Sequence, residues 1–138
     1  MLTKLRHIAL VALIVLSFAS TSFAAQRKAM GMLDGEAWLL LGDAGRQAYV
    51  RGFFEAIAMV SISYDVSGWS CANSFSDIAE GITDIYKSDP AMRIVPVPMA
   101  LRLFIMHVRG EPDATIAEAR RQFLNAAQKE RESAEPPK

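Results

Sequence analysis

Histidine and cysteine, two side chains that commonly perform catalysis or bind metal ions, are scarce in this sequence. The chain contains two histidines, His7 and His107, and one cysteine, Cys71. A zinc site needs several histidine or cysteine ligands, and a catalytic triad needs a histidine beside a nucleophile. His107 lies in an amphipathic segment, and no serine occupies the sharp turn that exposes a nucleophile. The sequence therefore predicts no catalytic residue, no metal site and no cofactor.

One acidic spacing has two interpretations. Asp77, Glu80 and Asp84 fall three and four residues apart, so a helix places their carboxylates on one surface. Such a surface either binds a hard cation or lies in water, with Lys87 close enough to Asp84 for an exposed ion pair. We favour the solvated surface.

The sulfur-containing residues also have two interpretations. Met92, Met99 and Met106 recur every seven residues, which suggests either soft-metal binding or packing in a core or against a partner. Met92 precedes the predicted helix, so these residues form no continuous helical stripe, and we favour packing. Cys71 has no second cysteine for a disulfide within the chain, so it is either a small buried apolar residue or a thiol that meets a second chain.

The N-terminus has the pattern of a secretory signal peptide over residues 1–24. Lys4 and Arg6 precede an apolar run at residues 8–18, and Ser22 and Ala24 form a small-x-small cleavage site. A bilayer-spanning helix needs about 20 apolar residues, so an uncleaved anchor is the less favoured alternative. We expect a periplasmic or secreted protein with no stable membrane insertion after cleavage.

The remaining chain has the size and charge of one globular domain. Removing residues 1–24 from 138 leaves 114 residues, with 13 Lys and Arg against 15 Asp and Glu, a formal charge of −2. This length is enough for one modest core. A slightly acidic domain lacks the basic surface that binds nucleic acid, so no nucleic-acid partner is expected.

Apolar periodicity predicts an all-α fold: a compact bundle of four main helices plus a short N-terminal helix. Three-to-four-residue spacings, with capping residues and breakers between them, place helices at residues 36–41, 44–64, 75–87, 98–109 and 114–131. Asp34, Asp43 and Ser74 are the expected N-caps, and Gly110 is an expected stop. We assign residues 25–132 to the helical domain and residues 133–138 to a disordered tail.

The predicted helix at 44–64 is apolar on nearly all sides, which is typical of a central, buried helix. It contains Gly52, and the next helix contains Gly81, each at a cost of about 1 kcal/mol relative to alanine in a helix interior. Either both glycines allow two helices to approach closely, such as those at 44–64 and 75–87, or they are tolerated on exposed faces.

Residues 84–103 contain three prolines between two apolar segments. Asp89-Pro90 is expected to end one helix and Pro98 to begin the next. Pro96 would stiffen an extended link at residues 94–97 that lays Ile94 or Val95 against the core. We interpret the stretch as a helix–helix corner rather than a binding loop, with Arg93 at its surface.

Four residues are candidates for contact with a partner. Arg102 and Arg109 lie two turns apart on the polar side of their predicted helix, and Arg93 lies near its start. Arginine suits interface carboxylates, although ordinary solvation explains the same pattern. Trp69 lies in a polar loop at residues 65–73, where tryptophan is either a binding hot spot or a lid over the core.

The stretches "YVRGFFEAIA" and "FSDIAEGITDIYKSDPAMRIVPVPMALRLFIMHVRG" resemble small exported bacterial helical proteins of uncharacterised function. The order of a glycine-containing helix, a second helix, a proline turn and an apolar helix is also similar to the type VI secretion amidase immunity (Tai/Rap-like) proteins. The similarity spans residues 38–110. It implies a helical protein whose partner is a toxin, and it supplies no catalytic residues.

These patterns lead to one main functional hypothesis and one alternative. The main hypothesis is a small periplasmic helical binding protein, not an enzyme, that presents a helix face or the 65–73 loop to another protein. An immunity-like inhibitor of a toxin is one concrete version of it. The alternative is a chaperone-like or structural cell-envelope protein, for which a homodimer is one form.

Overall fold

The computed structural model describes residues 32–134, so the predicted signal peptide and residues 135–138 lie outside the described residues. The prediction of an all-α fold with four main helices and a short leading one is confirmed, since residues 32–134 contain no strand. Five α-helices form, α1 (Gly35–Leu40), α2 (Asp43–Val60), α3 (Phe75–Ser88), α4 (Val97–Val108) and α5 (Asp113–Ala134), with short 3₁₀ turns at Ser67–Trp69 and Pro90–Ile94. No helix in this range is both long and apolar enough to cross a bilayer.

Capping interactions set several helix ends where the sequence predicts them. The Asp34 carboxylate accepts a hydrogen bond from the Ala37 N–H at 2.9 Å and starts α1. Ser74 and Asp77 form a reciprocal capping box at the start of α3, with distances of 3.1 and 3.2 Å. Such caps satisfy backbone N–H groups that have no partner within the helix.

Three other helix ends differ in how well they match the predictions. Gly110 has φ of +70° and ends α4 as predicted, a left-handed conformation that glycine adopts without a Cβ penalty. The predicted capping role of Asp43 is wrong, because Gly42 is the N-cap and Asp43 is the first residue of α2. The Asp43 carboxylate instead forms an ion pair with the Arg46 guanidinium, with 3.4 Å between Oδ1 and a terminal nitrogen. At the C-terminus, α5 extends through Ala134, two residues beyond the predicted domain boundary.

The centre of the bundle is α3 rather than α2. It packs against α1, α2, α4 and the Pro90–Ile94 turn, while α5 packs against α4 and the same turn. The prediction that the second helix is central and buried is wrong: Val50 is its only buried residue. Because α2 packs mainly against α3, its other sides face solvent despite their apolar composition.

Buried polar atoms join α1 to α3. The indole N–H of Trp38 donates to the Thr83 hydroxyl at 3.0 Å, and that hydroxyl donates to the Ala79 carbonyl at 2.7 Å. Trp38 has no exposed surface, and its ring meets Tyr49 of α2 edge-on at 5.9 Å. A buried donor without an acceptor is costly, so this hydrogen bond specifies how α1 lies on α3.

The predicted helix–helix corner is confirmed as a packed structural element. The Tyr86 hydroxyl donates to the Val95 carbonyl at 2.9 Å, and the Val97 N–H donates to the Leu33 carbonyl at 2.8 Å. Met92 and Val95 are fully buried, as expected for Val95. Within the predicted extended link at residues 94–97, Val95 is extended (φ −81°, ψ 134°), whereas Ile94 ends a 3₁₀ turn that begins at Pro90. Helix α4 begins at Val97, one residue before the predicted Pro98.

Two glycines, Gly35 in α1 and Gly81 in α3, lie where a side chain would overlap a neighbouring residue. A Cβ at Gly35 would overlap the Tyr86 ring and lie 2.8 Å from the Arg93 Cα, and one at Gly81 would overlap the Phe104 ring. The close approach predicted for Gly81 is thus present, although its neighbour is α4 and not α2. The same prediction for Gly52 is wrong, because a Cβ at that residue would have no neighbouring atom within 4 Å.

Gly35→Ala should lower the free energy of unfolding by about 1–3 kcal/mol, the usual cost of overpacking, because the neighbouring atoms belong to a buried ring and to backbone. The matched control is Gly52→Ala, which should leave stability unchanged or raise it by up to about 1 kcal/mol. Urea denaturation followed by far-ultraviolet circular dichroism measures both. Equal effects of the two substitutions would contradict this packing.

Alkaline pH should destabilise the protein through Tyr86. Burial raises the pKa of Tyr86 above its ordinary value, and the negative charge of Asp34 adds to the effect. As pH rises through about 10, the unfolded chain therefore releases this proton first, and the free energy of unfolding falls by up to about 1.4 kcal/mol per pH unit.

Tyr86→Phe should be less stable than the wild type at pH 8, because the buried Val95 carbonyl loses its donor. Its stability should nevertheless decline less steeply above pH 10, with some decline remaining because burial also raises the pKa of Tyr49. Tyr64→Phe, at an exposed position, is the control and should follow the wild type. Denaturation series at pH 8–11 give the slopes, and identical slopes for Tyr86→Phe and wild type would disprove the assignment.

Candidate partner-binding surface

Three of the four predicted contact residues meet at one place. The Arg102 guanidinium donates to the Gly68 carbonyl and lies over the Trp69 ring, 5.9 Å from its centroid. Arg109, which directly follows the last residue of α4, donates to the Ser67 carbonyl at 3.4 Å. The two arginines therefore hold the Ser67–Trp69 turn against α4, and both use part of their hydrogen-bonding capacity within the protein.

Trp69 is half-buried rather than projecting into solvent. Its ring centroid lies 5.3 Å from that of Phe53 in α2, and the centroids of Phe53 and Phe54 are 6.1 Å apart. Phe54 in turn lies 6.1 Å from Phe75 at the start of α3. Trp69 thus begins a row of four aromatic rings that runs from the turn to α3, and it partly covers the core, as the lid interpretation expects.

The start of this turn is stabilised locally. The Asp65 carboxylate accepts a hydrogen bond from the Ser67 N–H at 2.9 Å. This hydrogen bond, with a further one from the Ser67 side chain, lowers the pKa of Asp65. The ionised form of Asp65 is therefore the form that accepts the hydrogen bonds of this turn.

Arg93 lies apart from the other three residues. It is half-buried in the Pro90–Ile94 turn, and its Nε donates to the Tyr86 carbonyl near the end of α3 at 3.3 Å. Its Cα also lies against Gly35 of α1. The structure therefore places Arg93 in the packed corner, where it satisfies a helix C-terminal carbonyl.

The residues considered for metal binding lie in a helix cap, on the exposed surface or in the core. Asp77 belongs to the α3 capping box, while Glu80 and Asp84 are exposed. Met92 and Met106 are buried in the core, which confirms the packing interpretation for these two. Between residues 32 and 134, no group of three or more His, Cys, Asp or Glu side chains is arranged to hold a metal ion.

The most exposed apolar surface was not among the predicted contacts. Met59 is 76% exposed, Ile62 87% and Tyr64 71%, and all three lie at or just beyond the C-terminal end of α2. We call the set formed by these residues with Val60 and Phe75 the α2-end surface. It adjoins the aromatic row through Phe75, which also packs under the Arg51 guanidinium at 5.6 Å.

The sequence contains one signal that could have indicated this surface. Residues 56–64 contain no charged side chain, which favours either burial or an interface. Apolar periodicity predicts burial, as part of a central helix. The structure leaves the run exposed because no other described helix covers the C-terminal half of α2.

Comparisons with protein-family models, with curated proteins and with solved structures find no match to this chain.

Removing Arg102 should release the Ser67–Trp69 turn from α4. In Arg102→Ala, amide hydrogen exchange at Trp69 and Ser70 should accelerate, since their N–H groups donate within the turn, to Val66 and Ser67. Arg93→Ala is the control, because Arg93 contacts a different part of the molecule. Unchanged exchange at Trp69 and Ser70 in Arg102→Ala would show that the guanidinium does not hold the turn.

Proposed function

We propose that this protein is a small exported binding protein without catalytic activity, and that it recognises another protein through the α2-end surface and the adjoining Ser67–Trp69 turn. One observation carries the proposal. Of the seven large apolar side chains that are exposed among residues 32–134, five belong to the α2-end surface and lie between residues 59 and 75.

A concentration of exposed apolar side chains on a small domain is typical of an interaction site. Removing Met59, Ile62 and Tyr64 from water would supply the favourable free energy, at roughly 1.5–3 kcal/mol for each fully buried large side chain. No charge lies within residues 56–64, so little desolvation of ionised groups opposes burial. The composition therefore supports the centre of a protein interface rather than its polar rim.

The neighbouring turn supports the same function. Arg102 and the aromatic row keep Trp69 in one position before any partner arrives. A pre-ordered contact loses less conformational entropy on binding than a mobile loop does. Arg109 is exposed just after the end of α4, beside the turn, and is suited to a carboxylate on the partner.

The concrete version of this function is an immunity-like inhibitor that binds a toxin in the periplasm. Two sequence features support it: the signal-like residues 1–24, and the order of a glycine-containing helix, a second helix, a proline turn and an apolar helix, which resembles that of the type VI secretion amidase immunity proteins. Such an inhibitor needs a specific surface and no catalytic group, and the α2-end surface meets this requirement.

A chaperone-like or structural envelope protein is the second candidate. The observation that favours it is the lack of charged side chains in residues 56–64, because apolar contacts without directional groups accommodate many clients. It differs from the first candidate in specificity: a chaperone suppresses aggregation of unrelated proteins, while an inhibitor binds one partner.

Ile62→Asp should abolish capture of a specific partner from periplasmic extract, because it places a charge at the centre of the α2-end surface. Leu40→Asp is the matched control, since Leu40 is 73% exposed but lies at the end of α1, outside that surface. Affinity capture followed by mass spectrometry compares both variants with the wild type. Failure of the wild type to retain any specific partner would reject the proposal.

A light-scattering assay with two unrelated aggregating proteins separates the two candidates. The inhibitor version predicts no protection at equimolar concentration, and the chaperone version predicts dose-dependent protection that Ile62→Asp removes and Leu40→Asp preserves.

A further inference from the structure

A second surface feature lies on the side of α3 that faces α4 and α5. There, residues of the three helices line an open groove with a volume of about 560 Å³. Its apolar walls include Ile85 of α3, Leu103 and Phe104 of α4, and Ile116 of α5. This volume falls within the usual range for small-molecule sites, and none of the lining residues belongs to the α2-end surface.

The wall of the groove depends on Gly81. Because this residue has no side chain, the Phe104 ring lies directly against the α3 backbone, and both residues line the groove. Phe104 and Ile116 are only half-buried, so apolar surface is available there to a ligand.

Some of the ionisable side chains that line the groove form ion pairs and others do not. Asp89 on the α3 side forms an ion pair with Arg120 of α5, which offsets both charges. Asp84 also lines the groove, is exposed, and forms no side-chain hydrogen bond or ion pair with any residue from 32 to 134. His107 of α4 is the fourth titratable group that lines it. Of the two carboxylates that line the groove, only Asp84 therefore lacks an ion-pair partner among residues 32–134; it also borders a second cleft beside Lys87 and Arg46.

We propose that this groove binds a small organic cation with an apolar body, such as an aryl-alkyl ammonium. The apolar body would contact Ile85, Leu103 and Ile116, and the ammonium would lie near the Asp84 carboxylate and the Phe104 ring. The ring face attracts a cation through its quadrupole, and the carboxylate does so through its charge. This inference is independent of the proposed partner surface.

Three probes that share a phenethyl body test the proposal: phenethylammonium, 2-phenylethanol and 3-phenylpropionate. Each is titrated into the ¹⁵N-labelled full-length mature protein, and the amide shifts of groove residues give its Kd. Phenethylammonium should bind about fivefold more tightly than the alcohol, a ratio typical of one exposed ion pair with a cation–π contact. The carboxylate probe should bind most weakly.

Asp84→Asn tests the role of the charge. It should reduce the affinity for phenethylammonium to that for 2-phenylethanol and leave the affinity for the alcohol unchanged. Glu80→Gln is the matched control, because Glu80 is an exposed carboxylate one turn earlier on α3 that does not line the groove. It should preserve the fivefold preference.

Each remaining outcome overturns the proposal. Absence of shifts at Gly81, Ile85 and Phe104 with all three probes at millimolar concentration would show that the groove is not a ligand site. Tightest binding of 3-phenylpropionate would assign the site to anions through Arg120. A cation preference that persists in Asp84→Asn would place the cation elsewhere.

Discussion

The structure depends on two buried polar side chains that both find their partners through α3. The Trp38 indole donates to Thr83, and the Tyr86 hydroxyl donates to the Val95 carbonyl. Each of these rings is fully buried, so each donor would be costly without an acceptor. Together they attach α1 and the Pro90–Ile94 turn to the same helix, and Gly35 leaves the space in which the Tyr86 ring lies.

This arrangement decides which surfaces remain open. Because α1, α4 and the turn occupy most of α3, α2 has only one long neighbour and keeps an exposed apolar end. The Ser67–Trp69 turn then folds back onto α4 through Arg102 and Arg109, which brings Trp69 into contact with Phe53. The row of aromatic rings then links this turn to Phe75 of the α2-end surface.

The two proposed kinds of recognition use separate surfaces. The α2-end surface is apolar and exposed at a helix end, a composition that suits another protein. The groove between α3, α4 and α5 is concave and has an unpaired carboxylate, which suits a small ligand. Neither surface requires a nucleophile or a bound metal for its proposed role.

Local sequence signals determined the all-α class, most helix ends and the helix–helix corner. Ser74 with Asp77, Asp89-Pro90 and Gly110 act through neighbouring backbone atoms, so their effects are readable from adjacent residues. Only the tertiary structure decided that α2 is peripheral, that Gly81 and not Gly52 is tightly packed, and that Trp69 meets Arg102 while Arg93 lies elsewhere. These outcomes depend on which helices become neighbours, and apolar periodicity specifies the faces of a helix without specifying how many of them another helix covers.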